Sequence, residues 1–177
     1  MKKTGFTLLE LIIYIGISTI VIMATFSFFF MLVGDKIKQE RITHVDNMGQ
    51  FILKKISYHT KRAAAIDLTT AYHASPGKLV LNYIANPQII FDTYQKQIMI
   101  GGAPVTITKL RMKTGLNPAD DLTSDEVTVV NYAIENVSNG GSIAAQINLT
   151  LQSVNSGNIK PYEVNYQWSE TIALRTR

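Results

Sequence analysis

Glu10 is a lone carboxylate at the start of a long apolar segment. The 23 residues from Leu11 to Val33 carry no charge, and as a helix they would reach about 35 Å. That length exceeds the hydrocarbon core of a bilayer, which is about 30 Å thick, so the segment can span a membrane. A charged side chain at the bilayer centre costs roughly 2.5–3.5 kcal/mol on insertion scales. Glu10 therefore needs a cationic partner or a shallow position, and we treat it as a functional residue.

A short motif surrounds this carboxylate. Two basic residues, Lys2 and Lys3, are followed by the string GFTLLEL at residues 5–11. The string resembles the amino-terminal signature of type IV prepilins and type II secretion pseudopilins. The resemblance covers residues 2 to about 35. It implies that a membrane prepilin peptidase cuts between Gly5 and Phe6 and methylates the new amino terminus at Phe6, and that Glu10 acts in assembly.

Cleavage after Gly5 would place a cationic amine on Phe6, close to the Glu10 carboxylate. The two residues are four apart, so they share one face of a helix and can pair within one chain. They can also pair between neighbouring chains. A low dielectric strengthens such a pair, and it would align the helices axially, as a buried polar group sets the register of a coiled coil. The resemblance implies the second arrangement.

Other interpretations of the segment are an ordinary secretory signal, a plain single-pass anchor, and a Glu10 side chain that only reaches up to the headgroups. A secretory signal has an apolar region of roughly 7–15 residues and small residues at its cleavage site. The residues from Met31 to Lys36 offer no such site. A plain anchor requires neither the Gly5-Phe6 pair nor Glu10.

The remainder of the chain, about 144 of the 177 residues, is enough for one domain with a hydrophobic core. The chain contains no cysteine, so disulfides, thiolate metal sites and cysteine nucleophiles are excluded. The cysteine pair that closes a terminal loop in many major pilins is also missing, which favours a minor pilin or pseudopilin.

The net charge of +4 is unevenly distributed. Residues 35–62 carry seven Lys or Arg against three acidic residues, whereas residues 66–177 carry eight against nine. A nearly neutral domain gives no electrostatic footprint for nucleic acid, so a nucleic-acid partner is not predicted. Basic residues flank both ends of the apolar segment, so their count does not decide its orientation. The resemblance implies a cytoplasmic amino terminus and an external domain.

Two kinds of hydrophobic periodicity follow the apolar segment. From Asp35 to about Ile66, apolar residues recur three or four apart, which predicts an amphipathic helix that continues the membrane helix to about 60 residues. Gly34 and Gly49 would mark bends or close approaches within it. Beyond Pro76 the period becomes two and predicts antiparallel strands, with a hairpin link at residues 93–96. The predicted strands cover 78–84, 88–94, 97–101, 104–110, 126–134, 143–153 and 163–174.

The predicted fold is α+β, a long amino-terminal helix packed on a carboxy-terminal antiparallel sheet. In the segment from Ile147 to Leu151, alternation places the odd-numbered residues on the buried face. Such a sheet needs a cover, and the stem helix is the one long amphipathic element available. Tyr166 and Trp168 share a face, in the core or on an exposed adhesive surface. The predicted divisions are a leader (1–5), a transmembrane and assembly helix (6–34), an amphipathic helix (35–66) and a β domain (67–177).

No pattern predicts catalysis. His44, His59 and His73 lack metal-ligand spacing, and no nucleophile or phosphate-binding motif occurs. We predict no enzyme activity, no cofactor and no metal. The two histidines of the stem helix are expected on its polar face. The acidic residues at 120–121 and 125–126 could offer oxygen ligands to calcium, as some pseudopilins do, although they match no EF-hand pattern.

We therefore predict a structural subunit, a minor pilin or pseudopilin of a type IV pilus or type II secretion-like filament. Its expected partners are a prepilin peptidase, other pilin subunits and the cytoplasmic membrane. It would be held in that membrane by a single span before assembly, and would lie in a cell-surface or periplasmic filament afterwards. The alternative is a membrane-tethered binding module that keeps its leader and does not polymerise.

Overall fold

The chain begins with one long helix and continues as antiparallel strands. The computed structural model describes residues 7–139, 142–154 and 163–174. This is the predicted α+β class, with the helix packed on antiparallel sheet. The elements are α1 (Leu8–Arg62), β1 (Ala65–Ile66), β2 (Leu79–Asn82), β3 (Ile89–Ile100), β4 (Ala103–Thr114), β5 (Asp120–Asp121), β6 (Val127–Asn136), β7 (Ala144–Ser153) and β8 (Asn165–Ala173).

The chain divides into two compact units, Met1–Glu40 and Arg41–Arg177. In the first unit, every described side chain up to residue 33 is exposed. The hydroxyls of Thr19 and Thr25 each donate to the carbonyl four residues earlier, at 2.8 Å. These polar groups are thus satisfied inside the helix, as an apolar environment requires. By length and composition, α1 can cross a membrane.

In the second unit, the helix buries one stripe of side chains against the sheets. Val45, Ile52 and Ile56 are at most 1% exposed, and their spacing follows the helical period. Gly49 lies on the same stripe and is also buried. A Cβ at Gly49 would lie within 2.7 Å of three atoms of the Trp168 ring. Gly49 therefore marks the close approach of a strand residue to the helix, and the half-buried Trp168 covers it.

The helix ends at Arg62, four residues before the predicted end at Ile66. The Ala63 N–H is shared between the carbonyls of His59 (3.0 Å) and Thr60 (3.1 Å), a tightening typical of a last helical turn. The chain then enters β1, which pairs antiparallel with β2. The prediction was wrong here because β1 is only two residues long, too short to produce a strand period.

Five strands form the first sheet, in the order β1-β2-β3-β4-β5. Its centre is a hairpin in which β3 and β4 pair over twelve residues each. Gly101 and Gly102 close the hairpin with φ values of +57° and +85°, as expected for a two-residue turn that follows strand twist. The predicted link at residues 93–96 was wrong. Those residues lie in the middle of β3, where polar side chains from β3 and β4 interact on one face.

The other three strands form a second sheet, in the order β6-β7-β8. The predicted burial of Ile147, Leu149 and Leu151 is confirmed, since each is 0% exposed. Alternation had predicted one antiparallel sheet, whereas the strands divide into two. Both sheets contribute to the same hydrophobic core, which includes Phe91 from β3 and Leu149 from β7.

Candidate functional site

Glu10 lies in the first turn of α1 and closes a reciprocal cap with Thr7. The Glu10 N–H donates to the Thr7 hydroxyl oxygen at 3.3 Å. In return, the Glu10 carboxylate accepts from the Thr7 N–H at 3.1 Å and from the Thr7 hydroxyl at 3.0 Å. This is a capping box, in which an N-cap residue and the third helical residue satisfy each other's free N–H groups.

The cap explains how a carboxylate is held beside an apolar segment. The negative charge lies at the positive end of the helix dipole and receives two hydrogen bonds. A carboxylate has about four lone-pair positions, so capping leaves acceptor capacity for a further donor. Sequence reasoning missed this role of Glu10, although its signal, Thr followed three residues later by Glu before an apolar run, is present in the sequence.

The proposed processing residues, Gly5 and Phe6, lie outside the described residues. Cleavage between them and methylation of Phe6 stay predictions.

A cluster of charged side chains occupies one face of the β3–β4 hairpin. Lys109 has a side chain only 4% exposed, and its Nζ lies 2.9 Å from Asp121 Oδ2 and 2.6 Å from Asp125 Oδ1. Lys96 also pairs with Asp125 at 3.0 Å, and the Tyr94 hydroxyl donates to Asp121 at 2.8 Å. The cluster thereby ties the segment that follows β4 to the hairpin.

The pKa values of Lys109, Asp121 and Asp125 shift toward the charged forms. Burial opposes the charge on Lys109, but hydrogen bonds from its ammonium to Asp125 and Asp121 outweigh burial and raise its pKa. Burial also opposes the charge on Asp121, whereas hydrogen bonds from Lys109 and Tyr94 lower its pKa. The pKa of Asp125 is lowered by its hydrogen bonds with Lys109 and then with Lys96.

This geometry argues against a calcium site formed by the acidic residues at 120–121 and 125–126. Asp121 and Asp125 direct their oxygens to the Lys109 ammonium, which stands where a cation shared by the two carboxylates would lie. Glu126 lies 3.6 Å from His44. Among the residues that the structure describes, no group of three or more His, Cys, Asp or Glu side chains could hold a metal ion. Asp121 and Asp125 therefore serve as ion-pair acceptors.

The two helix histidines contact the strand domain. His44 Nε2 lies 3.1 Å from Ser124 Oγ. His59 packs near the Phe91 ring, with centroids 6.0 Å apart, and its Nδ1 lies 3.3 Å from the Tyr83 hydroxyl. Burial, with a smaller effect from Lys55, lowers the pKa of His59. The expectation of a simple polar-face position was wrong for His59, because this side of the helix contacts Tyr83 and Phe91.

Comparison with known protein families gives a match at the amino terminus. Residues 1–26 match the family model described as the prokaryotic N-terminal methylation motif. The matched segment contains the basic leader, the Gly5-Phe6 pair and Glu10, so it supports the resemblance to prepilin-type proteins. No curated protein and no solved structure matches the chain.

Proposed function

We propose that this chain, which carries a prepilin-type amino terminus, is a structural subunit of a type IV pilus or type II secretion-like filament. Within that class we propose a minor pilin or pseudopilin. The observation that carries the proposal is the methylation motif at residues 1–26, which includes the start of a helix able to cross a membrane. A prepilin peptidase would cut after Gly5 and methylate Phe6. The subunit would wait in the cytoplasmic membrane with its strand domain outside.

The role proposed for Glu10 has two stages. In the unassembled subunit, its carboxylate caps the helix through Thr7. During assembly, the same carboxylate pairs with the processed amine of a neighbouring subunit and sets the axial register of the two helices. The capping geometry supports this proposal because it holds the carboxylate at the amino-terminal end of the helix with acceptor capacity to spare. The low dielectric around apolar helices strengthens the pair.

The test separates the charge of Glu10 from its capping role. A Glu10→Gln variant keeps the cap, because glutamine also closes a capping box, but it loses the charge. A Thr7→Ala variant keeps the charge and loses the hydroxyl, at a cost of about 1 kcal/mol in helix stability. We expect Glu10→Gln to be inserted and cleaved yet to enter sheared filaments poorly, and Thr7→Ala to enter them nearly as the unmodified chain does.

The readouts are the mass of the amino terminus and the amount of subunit in the filament fraction. A terminus at Phe6 carrying an added methyl group supports processing. Incorporation of Glu10→Gln at the unmodified level would refute the register role. An intact leader in cells with an active prepilin peptidase, together with a monomeric protein, would instead identify a membrane-tethered binding module.

A further inference from the structure

One exposed face of the stem helix carries cations and aromatic rings but no acidic residue. Residues 47–66 contain four Lys or Arg and no Asp or Glu. Phe51 and Tyr58 are 49% and 52% exposed, although phenylalanine is among the residues most often buried. Residues three, four and seven apart share one face of a helix. We call this face the basic stripe, and it consists of Phe51, Lys54, Lys55, Tyr58, Lys61 and Arg62.

The four cations of the basic stripe have no acidic partner among the residues that the structure describes, where every ion pair joins other side chains. The two acidic residues that flank the stripe in the sequence already accept hydrogen bonds. Asp46 accepts from the Gln50 side chain at 2.9 Å, and Asp67 accepts from the Thr69 N–H at 2.8 Å. The stripe thus presents positive charge that the described part of the chain does not neutralise.

Two contacts hold the Tyr58 ring in place on the stripe. The Arg62 guanidinium lies 4.5 Å from the centroid of the ring and donates a hydrogen bond to its hydroxyl. The His59 ring meets the Tyr58 ring edge-on, with centroids 5.1 Å apart and planes at 89°. The ring is therefore oriented before a ligand arrives, which lowers the entropy cost of binding.

We propose that the basic stripe binds a single-stranded nucleic acid. Its cations pair with phosphates, and Phe51 and Tyr58 stack on unpaired bases. Proteins that bind single strands combine these two features, a positively charged track for the backbone and aromatic rings for the bases. The two rings are seven residues apart, about 10 Å along the helix, and Lys54 and Lys55 lie between them. The expectation that nucleic acid is not a partner rested on the nearly neutral residues 66–177, and the stripe precedes almost all of them.

Two other anionic partners fit the stripe less well. A helix that binds a membrane surface inserts its apolar face into the lipid, but the apolar face here, which includes Val45 and Ile52, is buried against the sheets. A second copy offers little free acidic surface, because Asp92, Asp121 and Asp125 already pair with cations of their own chain. The bases of a duplex are stacked on one another, so the exposed rings favour a single strand.

The test measures binding of a short fluorescent oligothymidylate to the full chain in neutral detergent, by fluorescence anisotropy. Four phosphate contacts to a single strand give a slope of about −2.8 in log K against log salt, which weakens binding about fiftyfold between roughly 50 and 200 mM salt. Lys54→Gln should bring the slope to about −2.1. The matched control is Lys36→Gln, which removes an exposed cation of the same helix outside the stripe and should leave the slope unchanged.

A second pair of variants tests stacking on the rings. Phe51→Leu keeps an apolar side chain and removes the ring, so it should weaken binding at least about fivefold, the smallest effect expected for loss of one stacked base. The matched control is Tyr166→Leu, which removes a ring that is 38% exposed and lies outside the stripe. That variant should bind as the unmodified chain does. Far-ultraviolet circular dichroism checks that both variants are folded.

Four outcomes would overturn the proposal. The first is no saturable binding at the lower salt concentration. The second is equal weakening by the stripe variants and their controls. The third is equally tight binding of a duplex and of the single strand, with no effect of Phe51→Leu, which would leave a general polyanion-binding face. The fourth is stripe-dependent binding to phosphatidylglycerol vesicles, or stripe-dependent self-association, without oligonucleotide binding, which would assign the face to a membrane or to a second copy.

This binding goes beyond the proposed function, and the two can fail separately. It requires only that the stripe be accessible, as in an unassembled subunit. A processed chain that enters filaments and does not bind the oligonucleotide would refute the role of the stripe and leave the filament role standing. Stripe-dependent binding by a chain with an intact leader would support the stripe and refute processing.

Discussion

Replacing Gly49 with alanine tests the packing of the stem helix on the second sheet. An ideal Cβ at Gly49 would lie 2.5, 2.6 and 2.7 Å from three carbon atoms of the Trp168 ring. Carbon atoms in good contact are about 3.5–4.0 Å apart. The ring must therefore move by about 1 Å to admit one methyl group. Trp168 is half-buried and stacks on Tyr166 with centroids 5.7 Å apart, so the movement also disturbs that stack.

Two effects of the Gly49→Ala substitution oppose each other. Alanine is favoured over glycine in a helix interior by about 1 kcal/mol. An additional methyl group in a well-packed site costs about 1–3 kcal/mol. Since Trp168 lies at a half-buried edge and can shift, we take the middle of that range, and the net result is a loss of about 1 kcal/mol. For a chain of this size, the expected fall in Tm is about 2–4 °C.

The assay is thermal unfolding of the full chain in detergent, followed by far-ultraviolet circular dichroism. The matched background is Trp168→Leu, which removes the ring from Gly49. In that background, Gly49→Ala should stabilise the protein by about 1 kcal/mol, since only the helix preference remains. The double-mutant cycle isolates the steric coupling of the two residues. Trp168 is the only tryptophan, so its fluorescence independently reports movement of the ring in the single variant.

A Gly49→Ala substitution that changes the free energy of unfolding by the same amount with Trp168 and with Leu at position 168 would refute the close-packing argument. So would a stabilised variant whose tryptophan emission is unchanged.

Two further predictions concern buried polar groups. The Tyr132 hydroxyl is buried and has no hydrogen-bond partner among the described residues, so Tyr132→Phe should keep or raise stability, by about 1 kcal/mol at most. Chemical denaturation checks this, and a clear loss would reveal an unseen partner. Lys109→Met should cost about 1–3 kcal/mol, less than a fully buried pair because its carboxylate partners are partly exposed. Because the pKa values of Asp121 and Asp125 are lowered, the stability that these ion pairs contribute is lost as the pH falls below about 4. Because the pKa of Lys109 is raised, the same stability is also lost as the pH rises above about 10.5. In the Lys109→Met variant, the free energy of unfolding should depend less on pH in both the acidic and the alkaline range. An unchanged pH dependence would contradict the ion pairs assigned to Lys109.

The sequence could predict those parts of the fold that depend on local patterns. The apolar run marked the helix that can cross a membrane, and alternation from Ile147 to Leu151 identified its buried face correctly. The α+β class followed from the change of period along the chain. The predictions for Gly5 and Phe6 rest on the motif alone and remain to be tested by the mass of the amino terminus.

The wrong predictions concern residues whose surroundings come from distant parts of the chain. Residues 93–96 were predicted as a turn, but they belong to a twelve-residue strand, where Lys96 pairs with Asp125 and the Tyr94 hydroxyl donates to Asp121. His59 was expected on the polar face of the helix, yet Tyr83 and Phe91 contact it. Periodicity indicates which face of a helix or strand is buried, but it does not indicate which other element packs against that face.

The sequence by itself determined the charge-free apolar run, and it also carries the local signals of the Thr7–Glu10 cap, which our predictions missed, and of the Gly101-Gly102 turn, which they did not assign to a hairpin. Each depends on residues at most a few positions apart, whose geometry the helix or turn already sets. Only the tertiary structure decided that Trp168 covers Gly49 and that Lys109 joins two aspartates. These depend on residues brought together from distant positions by strand register and packing, which no local pattern specifies.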